Sequence, residues 1–262
     1  PHVMLRTDEA FLLDSTRLGE ADLILTLFGR EAGTVRGVAR SAMKSRKRFG
    51  GALQPMSRVA MRWSERTGRE LHRIDSLELQ QSFAEMQSDP ELQAACAVMA
   101  EITRTLVGAN DPDERFYRLL GAVLEGMQDG LGPFAAVRYF EFWALRIHGM
   151  LPDLARCGGC HESHDGSRFR LGSPDLSIRC PACLPDGGVE MRVPSPSSME
   201  FLACAANKPP NEMTEYEAAC RPGEDLEWFL RRGLEAFAER GFRSYRHLRA
   251  VAAHRAGPAA KA

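Results

Sequence analysis

The sequence lacks several features that would place the chain in a common class. It contains no run of about eighteen apolar residues, the length that a helix needs to cross a bilayer. Its first residues include no apolar stretch of the kind found in secretory signals. It also has no P-loop, no His-Glu-x-x-His motif and no Gly-x-Ser-x-Gly elbow. These absences predict a cytoplasmic chain outside the enzyme classes that such motifs define.

Net charge is also nearly absent, at −1, but the charges are unevenly distributed. Between residues 30 and 73, twelve Lys and Arg residues stand against three acids, a local charge of +9. Between residues 75 and 129, three Arg residues stand against eleven acids, a local charge of −8. The first segment favours a polyanionic partner, whereas the second favours a structural or protein-binding role.

No carboxylate occurs between residues 36 and 48, where six cationic side chains are concentrated. The run ends at Gly50-Gly51 and Pro55, which predicts a flexible loop. A polyphosphate backbone would neutralise such a loop by releasing its condensed counterions, although such contacts read no base sequence. A solvated surface loop is the alternative explanation for a short basic run. The six residues are Arg36, Arg40, Lys44, Arg46, Lys47 and Arg48.

The segment around this loop has the pattern of short strands separated by turns. A basic face, a long loop and five short strands together predict a small Greek-key barrel of the OB type. The predicted strands cover residues 10–13, 22–28, 33–38, 56–63 and 70–74, with a turn at residues 66–68 before the last.

The fourth predicted strand alternates with a period of two. Val59, Met61 and Trp63 share one face, which favours a core position for Trp63 over the alternative role of a base-stacking platform. Arg58 and Arg62 share the other face, where they would extend the cationic surface. Both are therefore candidate nucleic-acid-binding residues.

Beyond residue 75 the pattern becomes helical. Asp89-Pro90 and Asp111-Pro112 are typical helix starts, and apolar residues follow each of them at spacings of three and four. A third helix is predicted from about residue 134 to residue 148.

The most specific motif is a pair of knuckles, Cys157-Gly158-Gly159-Cys160 and Cys180-Pro181-Ala182-Cys183, with nineteen residues between them. This spacing predicts four thiolates that converge on one Zn²⁺, and a complete set of four cysteines indicates a structural ion. Free thiols are the alternative. His161 and His164 are candidate substitute ligands that four cysteines make unnecessary, and residues 169–178 predict a small β-hairpin. The other three cysteines are predicted core thiols; they are Cys96, Cys204 and Cys220.

Helices are expected again after the knuckles, at residues 199–206, from Thr214, and at 225–240. Six arginines near the C-terminus either assist nucleic-acid contact or are solvated helix charges. They are Arg231, Arg232, Arg240, Arg243, Arg246 and Arg249.

The predicted fold class is α+β, an N-terminal OB-fold barrel followed by a helical domain that carries a four-cysteine zinc-finger insert. The predicted limits are 1–80 for the barrel, 81–155 and 194–252 for the two parts of the helical domain, 156–193 for the zinc module and 253–262 for a disordered tail.

Four short segments carry a resemblance to a known family. They are Asp22-Leu23-Ile24-Leu25-Thr26-Leu27-Phe28 with Glu31 and Gly33, Gly37-Val38-Ala39-Arg40, Arg48-Phe49-Gly50-Gly51-Ala52-Leu53-Gln54-Pro55, and Leu151-Pro152-Asp153-Leu154 before Cys157. With these segments and this order of parts, the chain resembles the bacterial recombination-mediator family RecO. The resemblance extends from about Leu5 to Arg249 and is strongest before Pro55.

The resemblance implies a non-enzymatic DNA-repair protein of the cytoplasm, associated with the nucleoid and not with a membrane. Such a protein would bind single- and double-stranded DNA, anneal complementary strands, contact single-stranded-DNA-binding protein and act with RecR to load RecA. The DNA-binding positions carried over are Arg36, Arg40, Lys44, Arg46, Lys47 and Arg48. Some family members lack the four cysteines, which implies that zinc supports the fold and not the annealing.

Two other functions fit the same features. One is a nucleic-acid-processing enzyme with an OB-fold and a zinc module, which a magnesium-dependent cleavage assay would detect. The other is an RNA-binding zinc protein, which competition between single-stranded DNA and RNA of equal length would reveal.

Overall fold

The computed structural model describes residues 3–66, 68, 71–163, 169–173, 175–184, 187 and 190–255. The chain divides into two compact units, Pro1–Arg118 and Leu119–Ala262. Strands dominate the first unit and helices the second, so the α+β class is confirmed. No helix in the described part of the chain is long and apolar enough to span a membrane.

Five strands of the first unit form a closed barrel in the order β1-β2-β3-β5-β4. All neighbouring strands are antiparallel except β3 and β5, which pair in parallel. This is the Greek-key arrangement expected of an OB-fold, so the predicted barrel is confirmed. The strands are β1 (Val3–Leu18), β2 (Asp22–Gly29), β3 (Gly33–Ala39), β4 (Arg58–Arg66) and β5 (His72–Gln81).

The inside of the barrel is filled by alternate residues of each strand. Leu23, Leu25 and Leu27 of β2 face the core, as do Val59 and Met61 of β4. The side chain of Trp63 belongs to the same core and is only 3% exposed, so the core position predicted for it is confirmed.

Two strands are longer than predicted. β1 pairs with β4 through its first half and with β2 through its second half, and this double pairing extends it to sixteen residues. β5 continues to Gln81 because it pairs with β4 as far as Arg58, so the helical pattern expected from Asp75 does not begin there. A turn at residues 66–68 and a strand start at residue 70 are predicted here, and two of these residues, Thr67 and Glu70, lie outside the described part of the chain.

The connection between β3 and β4 is folded and is not the flexible loop that its composition predicts. It contains a short helix α1 (Arg46–Phe49), and Ala42, Phe49 and Ala52 join the barrel core. Three apolar side chains within eleven residues hold the connection to the barrel. The prediction of a flexible loop did not take them into account, because they are scattered among cations.

Two helices follow the barrel. α2 (Pro90–Leu106) begins as predicted, because a carboxylate oxygen of Asp89 accepts hydrogen bonds from the amides of Glu91 and Leu92 at 2.8 and 3.3 Å. α3 (Glu114–Gln128) is capped by Asp113, two residues later than the predicted start.

The second unit combines helices with a small sheet. The helices are α4 (Pro133–Ile147), α5 (Pro196–Ala205), α6 (Asp225–Phe237) and α7 (Ser244–Arg255), and the sheet has the order β7-β6-β8. Its strands are β6 (Arg170–Ser173), β7 (Ile178–Arg179) and β8 (Glu190–Arg192), so the predicted hairpin gains a third strand. Thr214 opens only a 3-10 turn, Thr214–Tyr216.

Helix α7 has no counterpart among the predicted helices. Its apolar residues Tyr245, Leu248 and Ala252 recur at spacings of three and four and are buried, but the arginines between them obscure the pattern. The helix ends at Arg255, so the first three residues of the predicted tail are helical. Residues 256–262 lie outside the described part of the chain.

A buried ion pair lies in the core of the second unit. On α4, the guanidinium of Arg138 is 2.9 Å from the carboxylate of Glu141, and neither side chain is exposed. The hydroxyl of Tyr245 donates a hydrogen bond to the same carboxylate. Burial raises the pKa of the Glu141 carboxyl to about 7, although the charge of Arg138 opposes the rise.

Candidate nucleic-acid interface and metal centre

The β3–β4 connection, which carries most of the candidate cations, is attached to the β1–β2 turn. The amide of Ser41 donates a hydrogen bond of 2.7 Å to the carboxylate of Asp22, and the amide of Met43 donates one of 3.2 Å to the carbonyl of Ala21. The side chain of Phe49 then enters the barrel core. The cations between these attachments therefore have a defined position on the barrel.

Five of the candidate cations share one surface property. Their side chains are exposed, and among the described residues no carboxylate forms an ion pair with any of them. Such side chains are available to an external polyanion, because no internal partner competes for them. We call them the loop cations; they are Arg36, Arg40, Lys44, Arg46 and Lys47.

Arg48 differs from the loop cations because its guanidinium turns back onto the connection. It donates hydrogen bonds to the carbonyl of Arg40 at 2.7 Å and to the hydroxyl of Ser45 at 3.1 Å. Its charge also lies 5.1 Å from the ring centre of Phe49. Arg48 therefore helps to hold the connection in shape, and DNA contact by Arg48 stays a prediction.

The two arginines of β4 are not joined to the loop cations. Arg58 lies 5.1 Å from the ring centre of Phe11, 4.0 Å from the Glu9 carboxylate, and is only partly exposed. Arg62 points outward as predicted, but it lines a cleft on the β1–β4–β5 face. The carboxylates of the same cleft belong to Asp8, Glu9, Glu31 and Glu78. A polyanion near Arg62 would meet these acids, which makes this face a poorer phosphate surface than the loop.

Asp8 contributes to this cleft in a way that the sequence analysis missed. Its carboxylate accepts hydrogen bonds from the amides of Glu31 and Ala32 at 2.9 and 3.0 Å, and so holds the β2–β3 turn. Burial raises the pKa of the Asp8 carboxyl, although these amides oppose the rise. No local sequence motif predicts this contact, because Asp8 and Glu31 are twenty-three positions apart in the chain.

At least three of the six C-terminal arginines have acidic partners among the described residues. Arg231 and Arg249 both pair with the buried Glu227, at 3.2 and 2.6 Å, and Arg232 lies 3.5 Å from Glu190. These ion pairs give the three arginines a structural role, which is neither of the two roles that the sequence predicted, nucleic-acid contact or solvated helix charge.

The four knuckle cysteines come together as their spacing predicts. All four sulfur atoms lie within 4.8 Å of one another, and the Cys160 and Cys180 sulfurs are 3.9 Å apart. Tetrahedral zinc with Zn–S bonds of about 2.3 Å would separate its sulfurs by about 3.8 Å. The arrangement therefore fits a four-coordinate ion held by Cys157, Cys160, Cys180 and Cys183.

The sheet of the second unit positions the knuckles. Strand β7 ends at Arg179, directly before Cys180, and the amide of Gly158 donates a hydrogen bond of 2.8 Å to the carbonyl of Ile178. This bond joins the first knuckle to the strand that leads into the second. A side chain at Gly159 would come within 2.8 Å of Cys183, which explains why glycine occupies this position.

Backbone amides prepare the site for thiolate. The amides of Gly159 and Cys180 donate to the sulfur of Cys157 at 3.3 and 3.4 Å. Burial opposes ionisation of this thiol, but the surrounding amides prevail and lower its pKa to about 6. His161 is exposed and outside the sulfur cluster, and His164 lies outside the described residues.

Two of the remaining three cysteines are core thiols, as predicted. Cys96 and Cys220 are buried, and burial raises the pKa of the Cys96 thiol to about 12. Cys204 is only partly buried and accepts a hydrogen bond from the Tyr216 hydroxyl at 3.3 Å.

Comparison with known proteins identifies one family over parts of both units. Two family models match the chain, Recombination protein O N terminal over residues 4–83 and Recombination protein O C terminal over residues 87–244. Similar proteins include three that bear the name DNA repair protein RecO. The one from Koribacter versatilis is 37% identical over 63% of this chain and 68% of its own length.

The relative from Syntrophotalea carbinolica is 34% identical over 78% of each chain. The relative from Pelotomaculum thermopropionicum is 28% identical over 92% of each chain, so the similarity extends across nearly the whole sequence. On the strength of the two family models, which together span the barrel and most of the helical part, the chain belongs to the Recombination protein O family.

Proposed function

We propose that the chain is a recombination mediator in DNA repair that binds single- and double-stranded DNA and anneals complementary strands. With RecR, it helps to load RecA onto DNA coated by single-stranded-DNA-binding protein. The observation that carries the DNA-binding part is the set of five loop cations, exposed and without acidic partners among the described residues. Membership of the Recombination protein O family supports the role in recombination and repair. The three protein partners are those that the resemblance to this family implies.

The loop cations suit a protein that must hold two strands of like charge close together. Phosphate contacts are independent of base sequence, so the same surface accepts a single strand, its complement and the duplex product. A shallow surface also releases duplex more readily than a closed channel would. These properties are the physical minimum for annealing.

We further propose that the four cysteines hold one structural zinc ion. When bound, the ion supplies a fixed tetrahedral link between the two knuckles. The chain contributes the amides that favour thiolate at Cys157 and the strand β7 that sets the spacing of the knuckles. Four sulfur ligands complete the coordination of zinc, so the ion takes part in stability and not in a reaction.

Two parts of the proposal concern what the protein does not do and where it works. We propose that it catalyses no covalent change in DNA, and that it acts in the cytoplasm, associated with the nucleoid. Incubation of labelled single- and double-stranded DNA with the full chain and Mg²⁺ should leave both intact. Cleavage that persists through purification would favour a nucleic-acid-processing enzyme instead.

The central test is annealing of complementary oligonucleotides coated with single-stranded-DNA-binding protein, without ATP. We expect the intact chain to accelerate annealing, and the variant Lys44→Glu/Lys47→Glu to lose most of this activity because the new charges repel phosphate. A matched control, Arg115→Glu/Arg118→Glu, makes the same charge change at two exposed arginines of α3, outside the β3–β4 connection. Equal activity of the two variants, or no annealing by the intact chain, would refute the proposal.

A further inference from the structure

The outer face of strands β1, β2 and β3 has a covered half and an open half. In the covered half, Phe11 and Phe28 lie beneath the first turn of α3. The ring centres of Phe11 and Tyr117 are 4.9 Å apart, and those of Phe28 and Phe116 are 6.2 Å apart. All four side chains are buried, so this half has no room for a ligand.

The open half carries an aliphatic surface. Residues directly opposite each other in paired strands share a face, and Ile24 is opposite Val38 while Leu18 is opposite Asp22. Leu23 and Leu25 face the barrel core, so their neighbours Ile24 and Asp22 face outward, and Leu18 and Val38 with them. Leu18 is 44% exposed, and Ile24 and Val38 are partly exposed.

Met43 extends this surface from the β3–β4 connection. Its amide is bonded to Ala21 in the β1–β2 turn, next to the end of β1 at Leu18, and its side chain is 46% exposed. We call Leu18, Ile24, Val38 and Met43 the outer strip. Exposure of leucine and methionine side chains to water is unfavourable, and a ligand with apolar faces that covered them would bind with a favourable free energy.

The loop cations border the outer strip. Arg36 lies opposite Thr26 on the same outer face, two residues before Val38. Arg40 directly follows β3, and Lys44 directly follows Met43. Apolar side chains next to unpaired cations match the two parts of an unpaired DNA strand, which has apolar base faces and a charged backbone.

We propose that the outer strip contacts the bases of a single DNA strand whose phosphates lie on the loop cations. This inference rests on the proposed function and deepens it, since it names the unpaired strand as the ligand of this face. OB-folds commonly bind oligonucleotides on the face of strands 2 and 3 and on the β1–β2 loop. Phe49 and Trp63 are both buried in the core, so neither provides an aromatic platform for stacking.

The chemistry of the outer strip suits annealing. Aliphatic and thioether side chains contact base faces without forming hydrogen bonds to the Watson–Crick edges, which stay free for a complementary strand. The carboxylate of Asp22, on the same face, is already bonded to the amide of Ser41. In a duplex the base faces are stacked on one another, so the outer strip contributes to binding of an unpaired strand alone.

The test compares full-length variants by fluorescence anisotropy with three labelled probes of equal length. The probes are an oligothymidylate, an abasic oligomer with the same number of phosphates, and a duplex. The test variant is Leu18→Ser/Met43→Ser. The control is Met4→Ser/Leu5→Ser, which changes the same residue types at positions 58% and 61% exposed near the start of β1. Thermal unfolding of each variant checks that the fold is retained.

We expect the intact chain to prefer the oligothymidylate over the abasic oligomer, and the test variant to lose about fivefold in affinity for the oligothymidylate alone. The control should match the intact chain on all probes. Equal loss on all three probes, or no preference of the intact chain for bases, would overturn the role of the outer strip and leave the loop cations as the DNA surface. An intact chain that binds no probe would overturn the proposed function as well.

Discussion

The loop cations allow a quantitative prediction of how DNA binding depends on salt. Each phosphate that a cation neutralises releases condensed counterions, so the logarithm of the affinity for duplex falls with the logarithm of salt by about 0.9 per contact. Five contacts would give a slope of about −4.5, and a rise from 50 to 200 mM salt would weaken binding about 500-fold. This prediction assumes that each of the five exposed cations meets one phosphate.

The variant Lys44→Gln/Lys47→Gln removes two of these contacts. Its slope should fall to about −2.7, so the same rise in salt should weaken binding only about 40-fold. Arg48→Gln should leave the slope nearly unchanged, because the Arg48 guanidinium donates its hydrogen bonds within the connection, to Arg40 and Ser45.

The assay is a series of anisotropy titrations of one duplex at several salt concentrations, with equal protein preparations. The control Arg115→Gln/Arg118→Gln removes the same total charge from exposed positions of α3, outside the β3–β4 connection, and should keep the slope of the intact chain. If the loop variant also keeps that slope, its lysines do not contact phosphate and the reasoning fails. If Arg48→Gln lowers the slope by nearly one, Arg48 reaches DNA despite its contacts within the connection.

Three further predictions concern stability. Cys157→Ser should abolish stoichiometric zinc binding, measured by mass spectrometry of the purified protein, and should lower the unfolding temperature. The control Cys204→Ser should change neither quantity. Zinc that persists in Cys157→Ser would exclude the four-cysteine centre. Phe49→Ala should lower the free energy of unfolding in urea by about 3–5 kcal/mol, because it leaves a cavity in the barrel core. A change below about 1 kcal/mol would mean that Phe49 does not hold the β3–β4 connection to the barrel core. Arg138→Met should lower the free energy of unfolding by about 3–5 kcal/mol, because it leaves the Glu141 carboxylate buried without its charged partner. The double variant Arg138→Met/Glu141→Leu should recover most of that loss. A double variant as unstable as the single one would contradict this account.

Much of the fold follows from local sequence patterns. Strict alternation in β4 places Val59, Met61 and Trp63 in one core, because a strand directs successive side chains to opposite faces. The Asp89-Pro90 pair predicts the start of α2, since a side-chain cap acts within a few residues. Cys-x-x-Cys spacing is equally local, so the sequence alone indicated the cluster of four cysteines.

The patterns that failed are those in which distant segments decide the outcome. β1 is four times as long as its apolar run, because its polar first half is paired with β4. The apolar side chains of the β3–β4 connection are few and widely spaced, and only the barrel that they enter shows that they hold it. Helix α7 likewise depends on burial of three residues against its own unit.

The sequence by itself therefore determined which segments form the barrel strands, the group of four cysteines that could hold a metal ion, and the number of cations near the N-terminus. Tertiary structure decided which of those cations remain available, since Arg48 bonds to its own connection and Arg62 lies among carboxylates from other strands. It also decided that Leu18, Ile24 and Val38 form one surface. Strand pairing brings residues of different strands onto a common face, and no local spacing in the chain encodes that register.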